Sequence, residues 1–513
     1  MAVGGHDSHQ PPANDTPLMI CVSIGRGRHR HVIAEHKHLV EQGAQLVELR
    51  LDYINGQVNL RRLLPDRPGP VIITLRRPQD GGKYSGTEDE RRILLRTAIA
   101  DGVDYVDLEE DVAGAIPRYG KTKRIVSLHD FRKTPANLEE IHARLAKLDA
   151  DIVKISTLAN HPHDNARMLH LVRQSTIPTV GICMGDIGTP SRLLAGRCGA
   201  PFTYATFHHE RALAPGQLSF DQMKHAYHYD QINAETEVYG VIGDPIGHSL
   251  SPLVHNAAFR HLELNKVYLP FRIPREDLAS FLEDAPELGI KGLSVTIPHK
   301  EAVLKRLTKV DGAVRGVGAA NTVLFEAGQI SGHNTDYRAA MDSLQTALAE
   351  GSAERADLAN KVALVLGAGG AAKAIAFGLQ RRGAEVVLAS RTRERADKLA
   401  ESLNVKAVDW GTRHNFWVDV LVNCTPVGMH PNVDETPYDK HYLKPSMAVF
   451  DTVYNPESTL LVKDARARSC TVITGVEMFI RQAALQFKLF TGHEAPSELM
   501  RDVLKRAIGP AKY

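Results

Sequence analysis

Residues 149–157 read DADIVKIST, in which Ile152, Val153 and Ile155 fill both sides of an extended segment and Lys154 sits among them. Successive residues of a strand point to opposite faces, so a run that is apolar on both is covered on both, as in a parallel sheet wrapped by helices. An ammonium group in such a run is costly to bury. Similar short runs flank it on either side: MICVSIG, LVELRLDY, VIITLR, YVDLEE, RIVSLHDF, TVGICMG and FTYAT, all between residue 19 and about 206. With helix-like segments between them they make eight βα units in roughly 200 residues, which points to a (β/α)8 barrel, with an open doubly wound sheet as the alternative.

Beyond this series QINAETE (231–237) reads as a linker, and VYGVIG opens a second α/β series. Within it KVALVLGAGGAAKAIAFGLQRRGAEVVLASRTRER (361–395) is a strand, a glycine-rich turn, a helix and a second strand. That is a Rossmann unit, whose glycines let the backbone approach a pyrophosphate at a helix N-terminus. The expected organisation is a tail at 1–17, a barrel at 18–230, a linker at 231–237, and an α/β lobe at 238–337 completed by C-terminal helices at about 478–513. A Rossmann domain occupies 338–477.

With 513 residues the chain is too long for one core. Lys plus Arg number 62 against 60 Asp plus Glu, so no general affinity for nucleic acid or anionic lipid is expected. No apolar run approaches the roughly 20 residues that span a bilayer. The five cysteines are scattered, without CxxC spacing, and the 24 histidines show no HExxH, despite the pair His208 and His209. A metal site is therefore not expected, and reduced thiols fit a cytoplasmic protein. The first 17 residues, MAVGGHDSHQPPANDTP, carry neither a signal-peptide core nor a transit-peptide pattern and read as a disordered tail.

Barrel enzymes build their sites at the C-terminal ends of the strands. Glu48 and Arg50 share one side of the second strand, Arg76 ends the third, His129 the fifth, Lys154 lies on the sixth and Arg192 follows the seventh. Desolvation and three nearby arginines are expected to favour the neutral, nucleophilic amine of Lys154, which can form a Schiff base with a ketone while the histidine moves protons. The plainer alternative is that Lys154 is simply paired with a carboxylate of the barrel.

VELRLD, SLHDF, DIVKIST, MGDIGTPSRL and APGQ, in this order, resemble type I 3-dehydroquinate dehydratase over residues 19 to about 230. The resemblance implies that Lys154 forms an imine with the C3 ketone of 3-dehydroquinate. His129 takes the C2 proton and assists loss of the C1 hydroxyl, giving 3-dehydroshikimate. Arg192 holds the carboxylate, Arg76 and Glu48 with Arg50 position the ring and its hydroxyls, and Gln217 lies on a closing loop. Two positions depart from that pattern: Asp80 stands where the family often has a glutamate orienting the histidine, and Leu213 where it usually has serine. Weaker substrate hold with the chemistry kept is the expectation.

In the second half Ser249 and Ser251 stand in GHSLSP, where they can cap a helix or bind a carboxylate. Thr296 and Lys300 follow in GLSVTIPHK, Asn321 in GAANTV, and Asn334 and Asp336 in SGHNTD. A Lys/Asp pair can pass a proton to or from a substrate oxygen while hydride moves to or from a nicotinamide; an ordinary ion pair is the alternative. With VNCTPVGM, DTVYNP and GVEMFIRQAALQF, these stretches resemble shikimate dehydrogenase over residues 238–505. The resemblance implies Lys300 and Asp336 as the catalytic pair, with Ser249, Ser251, Thr296, Asn321, Asn334, Tyr454 and Gln482 around the substrate. Gly367, Gly369, Gly370, Ala371, Ser390, Arg391, Thr392, Arg395, Thr425 and Gly475 are implied around the cofactor. Ser294 replaces the usual Asn of NVT, as in the plant fused enzymes, Ala339 the Gly after NTD, and Ser390 the Asn of NRT. An acid at the end of the second Rossmann strand binds the ribose hydroxyl of NAD, and arginine accommodates the extra phosphate of NADP. Here Arg391, Arg393 and Arg395 cluster there and Glu385 lies at the far end, so NADP is expected.

Together the two resemblances imply successive steps from 3-dehydroquinate through 3-dehydroshikimate to shikimate, with these small molecules as partners. Two other readings are open to the sequence: quinate oxidation with NAD, which the arginines and paired serines disfavour, and a quinate-sensing regulator without turnover. The presence of Lys154, His129, Lys300 and Asp336 together, and the lack of a DNA-binding segment, count against the regulator.

Overall fold

The structure, a computed structural model, describes residues 18–349 and 357–509. The expected tail at 1–17 lies outside the described residues. The chain divides into two compact units: one runs to Val238 and takes in Asn265–Gly289; the other comprises Tyr239–Leu264 and the chain from Ile290.

In the first unit, β1 (Met19–Ile24), β2 (Leu46–Arg50), β3 (Val71–Thr74), β4 (Tyr105–Glu109), β5 (Lys123–Asp130), β6 (Ile152–Leu158), β7 (Thr179–Met184) and β8 (Phe202–Thr206) form one sheet. Its order is β7-β6-β5-β4-β3-β2-β1-β8, with every neighbouring pair parallel. The eight expected strands are present in a near-closed barrel whose hydrogen-bonded order begins at β7 and ends at β8. The lumen is filled in layers. Cys21, Leu46, Ile72, Ile125, Ile152, Val180 and Phe202 form a buried apolar plug, with Tyr105 of β4 packed against it. Two residues further along each strand, and so on the same side, come Ser23, Glu48, Thr74, Asp107, Ser127, Lys154, Ile182 and Tyr204. The apolar layer thus carries a polar one directly above it, and the buried lysine belongs to that layer.

The second unit holds β9 (Glu237–Gly243; its first two residues fall in the first unit); β10 (Lys266–Arg272) is grouped with the first unit. With β11 (Ile290–Val295), β12 (Lys309–Val310), β13 (Thr322–Glu326) and β14 (Gln329–His333), the strands run β9-β11-β13-β14-β12. Antiparallel pairing joins β11 to β13 and β13 to β14. A second sheet is parallel throughout: β15 (Val362–Leu366), β16 (Glu385–Ala389), β17 (Lys406–Val408), β18 (Val420–Asn423), β19 (Ala448–Asp451) and β20 (Thr471–Ile473), in the order β17-β16-β15-β18-β19-β20. The order reverses between β15 and β18, and doubly wound sheets bind ligands at such a switch point. Ala363, Val365, Val386, Leu388, Val420 and Val422 bury one face of this sheet against the helix Gly370–Gln380 through Ala372, Ile375, Ala376 and Leu379.

Candidate active sites

The mouth of the barrel gathers Glu48, Arg50, Arg76, Asp80, His129, Lys154, Arg192 and Gln217 around one pocket. Lys154 is 4% exposed. Its Nζ donates to Asp107 Oδ2 at 2.9 Å, lies 3.8 Å from Glu48 Oε1 and sits 4.1 Å from the centre of the Tyr204 ring. The expected ring of cations is thus not all that surrounds it: two carboxylates lie within 4 Å of the amine. Sequence reading counted the arginines and missed Asp107, whose inward position follows only from the register of β4. The arginines are themselves compensated. Arg50 makes two bonds to Asp52 at 2.9 and 2.8 Å, and Arg76 Nη2 lies 2.8 Å from Asp107 Oδ1.

Arg192 is the exception. It is 2% exposed, has no carboxylate partner among the described residues, leaves Nε without a hydrogen-bond acceptor, and donates only to Pro215 O at 3.4 Å. Burial brings its pKa down to about 10. A buried guanidinium without a counter-ion in a pocket is a receptor for an anion.

His129 is pushed well below the ordinary histidine range, first by burial and then by the Arg76 guanidinium, so it is neutral at pH 7 and able to accept a proton. Arg76 Nη1 contacts both ring nitrogens, and Phe131 stacks near the ring at 6.1 Å between centroids. Asp80 lines the pocket but accepts from Arg77 Nε at 2.7 Å. The side chain bonded to His129 is thus Arg76, and the shorter carboxylate is turned to its neighbour. Glu48 is fixed by Ser23 Oγ at 2.6 Å and Thr74 Oγ1 at 2.8 Å. Burial would raise its pKa, but Lys154, Arg50 and Arg76 bring it below the usual value. Gln217 Oε1 accepts from Leu213 N at 2.9 Å, which pins the loop where serine is absent.

In the second unit a cavity of about 480 Å³ is lined by Ser249, Ser251, Thr296, Lys300, Asn321, Asp336, Tyr454 and Gln482, with Ala371 and Gly475 at its edge. Lys300 Nζ donates to Asp336 Oδ2 at 2.5 Å. Asp336 Oδ1 accepts from Asn321 Nδ2 at 2.9 Å, and the same amide nitrogen donates to Thr335 Oγ1 at 2.8 Å. Asn321 therefore orients the carboxylate. Ser249 and Ser251 line the cavity; the N-cap residue Leu250 of the helix Ser251–His261 makes no side-chain cap bond, but Ser249 Oγ accepts from Ser251 N at 3.4 Å, so a weak capping contact accompanies the place in the cavity. Asn334 is different: it caps the helix Thr335–Leu348 by accepting from Tyr337 N at 3.1 Å and donates to Ala319 O at 2.8 Å. It starts the helix that carries Asp336 and is not among the cavity-lining residues. Gln486, not singled out from the sequence, also lines the cavity; it accepts from Ser294 Oγ at 2.8 Å and donates to Asn321 O and Thr322 Oγ1 at 3.0 Å.

The glycine-rich turn fits a dinucleotide. Gly367 has φ +107°, and a Cβ there would meet Cys424 O at 2.9 Å; at Gly369, which precedes the helix Gly370–Gln380, a Cβ would meet nothing within 4 Å. This is open space at a helix N-terminus, where a pyrophosphate sits. Of the three arginines beyond β16, Arg393 is tied to Asp397 at 2.7 Å and Asp409 at 2.9 Å. Arg391 and Arg395 are exposed and make no side-chain bond among the described residues. Ser390 Oγ accepts from Thr392 N at 3.3 Å, and Thr425 Oγ1 donates to Asn423 Oδ1 at 2.7 Å, shaping the two loops beside the turn. Glu385, at the far end of β16, is paired with Lys406 at 2.8 Å. Among the described residues no cluster of His, Cys, Asp or Glu could hold a metal ion, and no helix is long and apolar enough to cross a membrane.

A lysine and a neutral imidazole in the mouth of a parallel barrel, joined in one chain to a Lys/Asp pair beside a Rossmann sheet, define a fused lyase and dehydrogenase. Residues 20–234 match the type I 3-dehydroquinase family, 241–323 the shikimate dehydrogenase substrate binding domain, and 475–505 the shikimate 5'-dehydrogenase C-terminal domain. Residues 361–444 match the family described as NADP oxidoreductase, coenzyme F420-dependent. The chain is 38% identical over 528 residues to the chloroplastic bifunctional 3-dehydroquinate dehydratase/shikimate dehydrogenase of Arabidopsis thaliana, covering 99% of this chain and 86% of that one. It is 44% identical over 285 residues to shikimate dehydrogenase (NADP(+)) of Methanopyrus kandleri, covering 53% of this chain and 96% of that one. A crystal structure of shikimate dehydrogenase in complex with NADP+ covers 54% of this chain and 98% of its own at 39% identity and TM-score 0.50. The chain belongs to the family of bifunctional 3-dehydroquinate dehydratase/shikimate dehydrogenases.

Proposed function

We propose that this protein carries out two successive steps of the shikimate pathway, dehydrating 3-dehydroquinate to 3-dehydroshikimate and reducing the latter to shikimate with NADPH. The observation that carries the first step is the meeting of Lys154, neutral His129 and uncompensated Arg192 in one pocket. Arg192 takes the substrate carboxylate, while Glu48 with Arg50 and Arg76 hold the ring. The Lys154 amine adds to the C3 ketone and forms an iminium. His129 removes the C2 proton, whose electron pair flows to the iminium nitrogen, and then gives that proton to the departing C1 hydroxyl. Hydrolysis releases 3-dehydroshikimate and the lysine.

In the second site Ser249, Ser251, Thr296, Tyr454 and Gln482 surround the substrate, and Lys300, oriented by Asp336, passes a proton to the oxygen of the carbonyl being reduced. Bound NADPH supplies the hydride. Gly367, Gly369, Gly370 and Ala371 receive its pyrophosphate, with Thr425 and Gly475 nearby, and Arg391 and Arg395 with Ser390 and Thr392 take the phosphate on the ribose. The open turn and the two unengaged arginines support NADPH over NADH. The five free cysteines support a reducing compartment, which we take to be the cytoplasm; the near balance of charge supports small molecules, and not nucleic acid, as partners.

Supplying 3-dehydroquinate and NADPH and following enone absorbance with NADPH consumption tests both steps. Wild type should consume NADPH. Lys154→Ala should do so only when given 3-dehydroshikimate, and Lys300→Ala should accumulate the enone. NADPH consumption by Lys154→Ala from 3-dehydroquinate would overturn the assignment.

A further inference from the structure

Lys154 is held by a carboxylate that sits in its own layer of the barrel. Asp107 is 1% exposed; its Oδ2 accepts from Lys154 Nζ at 2.9 Å, and its Oδ1 accepts from Ser127 Oγ at 2.6 Å and lies 2.8 Å from Arg76 Nη2. The Tyr204 ring covers another side of the amine at 4.1 Å, a position that suits a cation over a π-face. Building on the dehydratase reading above, we propose that Asp107 is the counter-ion of the imine, paired with Lys154 Nζ before, during and after its condensation with the substrate ketone.

Charge balance supports this role. A lysine ammonium and a ketone give a protonated imine and one water: a C=N bond forms, the C=O bond breaks, two protons leave nitrogen with the oxygen, and one positive charge remains on nitrogen. The group facing Asp107 thus has the same charge in the resting site and in the iminium. Attack on the ketone needs a free electron pair on that nitrogen, and a nearby acceptor for its proton is His129, which burial and Arg76 keep unprotonated. Burial alone would raise the Asp107 pKa, but Arg76 and then Lys154 outweigh it and hold the carboxyl well below its usual range, so the negative charge persists at every working pH. Loss of that charge would leave the cationic nitrogen beside Arg76 with Glu48, 3.8 Å away, as its nearest carboxylate.

The test is borohydride trapping of the 3-dehydroquinate adduct in wild type and Asp107→Asn, together with steady-state kinetics. Asparagine keeps the shape and loses the charge. We expect trapping on Lys154 to slow about 100-fold and kcat to fall with it, while KM, set by Arg192, changes less than about 3-fold. Were Asp107 only a support for Arg76 and His129, the adduct would form at the wild-type rate and elimination alone would stop; that result overturns the proposal. Should Asp107→Asn not fold, Ser127→Ala removes the 2.6 Å bond and keeps both charges. It should slow trapping about 3- to 10-fold, and unchanged trapping in it counts against the proposal. Absence of any adduct on wild-type Lys154 would instead overturn the dehydratase reading on which this rests.

Discussion

His129 and Arg192 show how burial, joined at His129 by the Arg76 guanidinium, can fit an ordinary side chain to a task. Because the His129 pKa lies well below 6.5, the base stays neutral as pH falls through the range where exposed histidines protonate. The acid limb of the dehydratase kcat/KM profile should therefore lie below pH 6.5, and a midpoint at 6.5 or above would contradict this environment. Arg192→Ala removes a pocket guanidinium that has no carboxylate partner among the described residues, so KM for 3-dehydroquinate should rise on the order of 10- to 100-fold, the equivalent of one or two charged hydrogen bonds. Arg192→Lys should recover only part of it, since an ammonium cannot present two parallel donors. At the cofactor end, Arg391→Ala should erode the preference for NADPH; equal loss with NADH would make that arginine structural. The individual side chains were legible in the sequence where a strand end or a glycine turn announced them. Asp107 and Gln486 were not, because each depends on a partner far along the chain: Lys154 lies 47 residues from Asp107, and Asn321 lies 165 from Gln486. The capping role of Asn334 is local, through Tyr337 N three residues on, the pattern of an asparagine just before a helix.

Strands and helices were easier to read, since their patterns are local. Runs apolar on both sides announced a parallel sheet, and all eight barrel strands follow. The error in the surroundings of Lys154 arose one step later. YVDLEE was read as a strand, but which of its acids faces the lumen depends on register, and Asp107 emerges only once Tyr105 is placed against the plug. Two elements make predictions of their own. A Cβ on Gly475, which opens the helix carrying Gln482, would lie 2.3 Å from Val453 O. Gly475→Ala should shift that helix and cut reduction of 3-dehydroshikimate by at least about 10-fold, by analogy with the cost of small misplacements at a reacting site, with dehydration kept. On the helix His29–Glu41, His36 is 2% exposed, its Nε2 has no hydrogen-bond partner among the described residues, and burial and Arg67 lower its pKa from 6.5 to about 4. Above pH 6.5 it is neutral whether folded or not; as pH falls from 6.5 to 4 the unfolded chain binds a proton the folded one refuses, and stability declines by on the order of 3 kcal/mol. Thermal melts between pH 7 and 4 should show His36→Leu losing less stability than wild type, and parallel curves would refute this.

Two separate cores underlie two separate activities in one chain. The barrel plug draws on seven of its strands, and the Rossmann sheet buries its own face, so damage to one chemistry need not reach the other. Lys154→Ala should leave reduction of 3-dehydroshikimate within about 2-fold of wild type, as expected for sites that share no lining residue. The account as a whole stands on Lys154 being a nucleophile and not merely one half of a buried ion pair, the alternative that its contact with Asp107 keeps in view. Peptide mass mapping after borohydride reduction in the presence of 3-dehydroquinate decides between them. The account predicts a reduced substrate adduct on the peptide carrying Lys154 and on no other lysine; an unmodified Lys154 after complete reduction would contradict it.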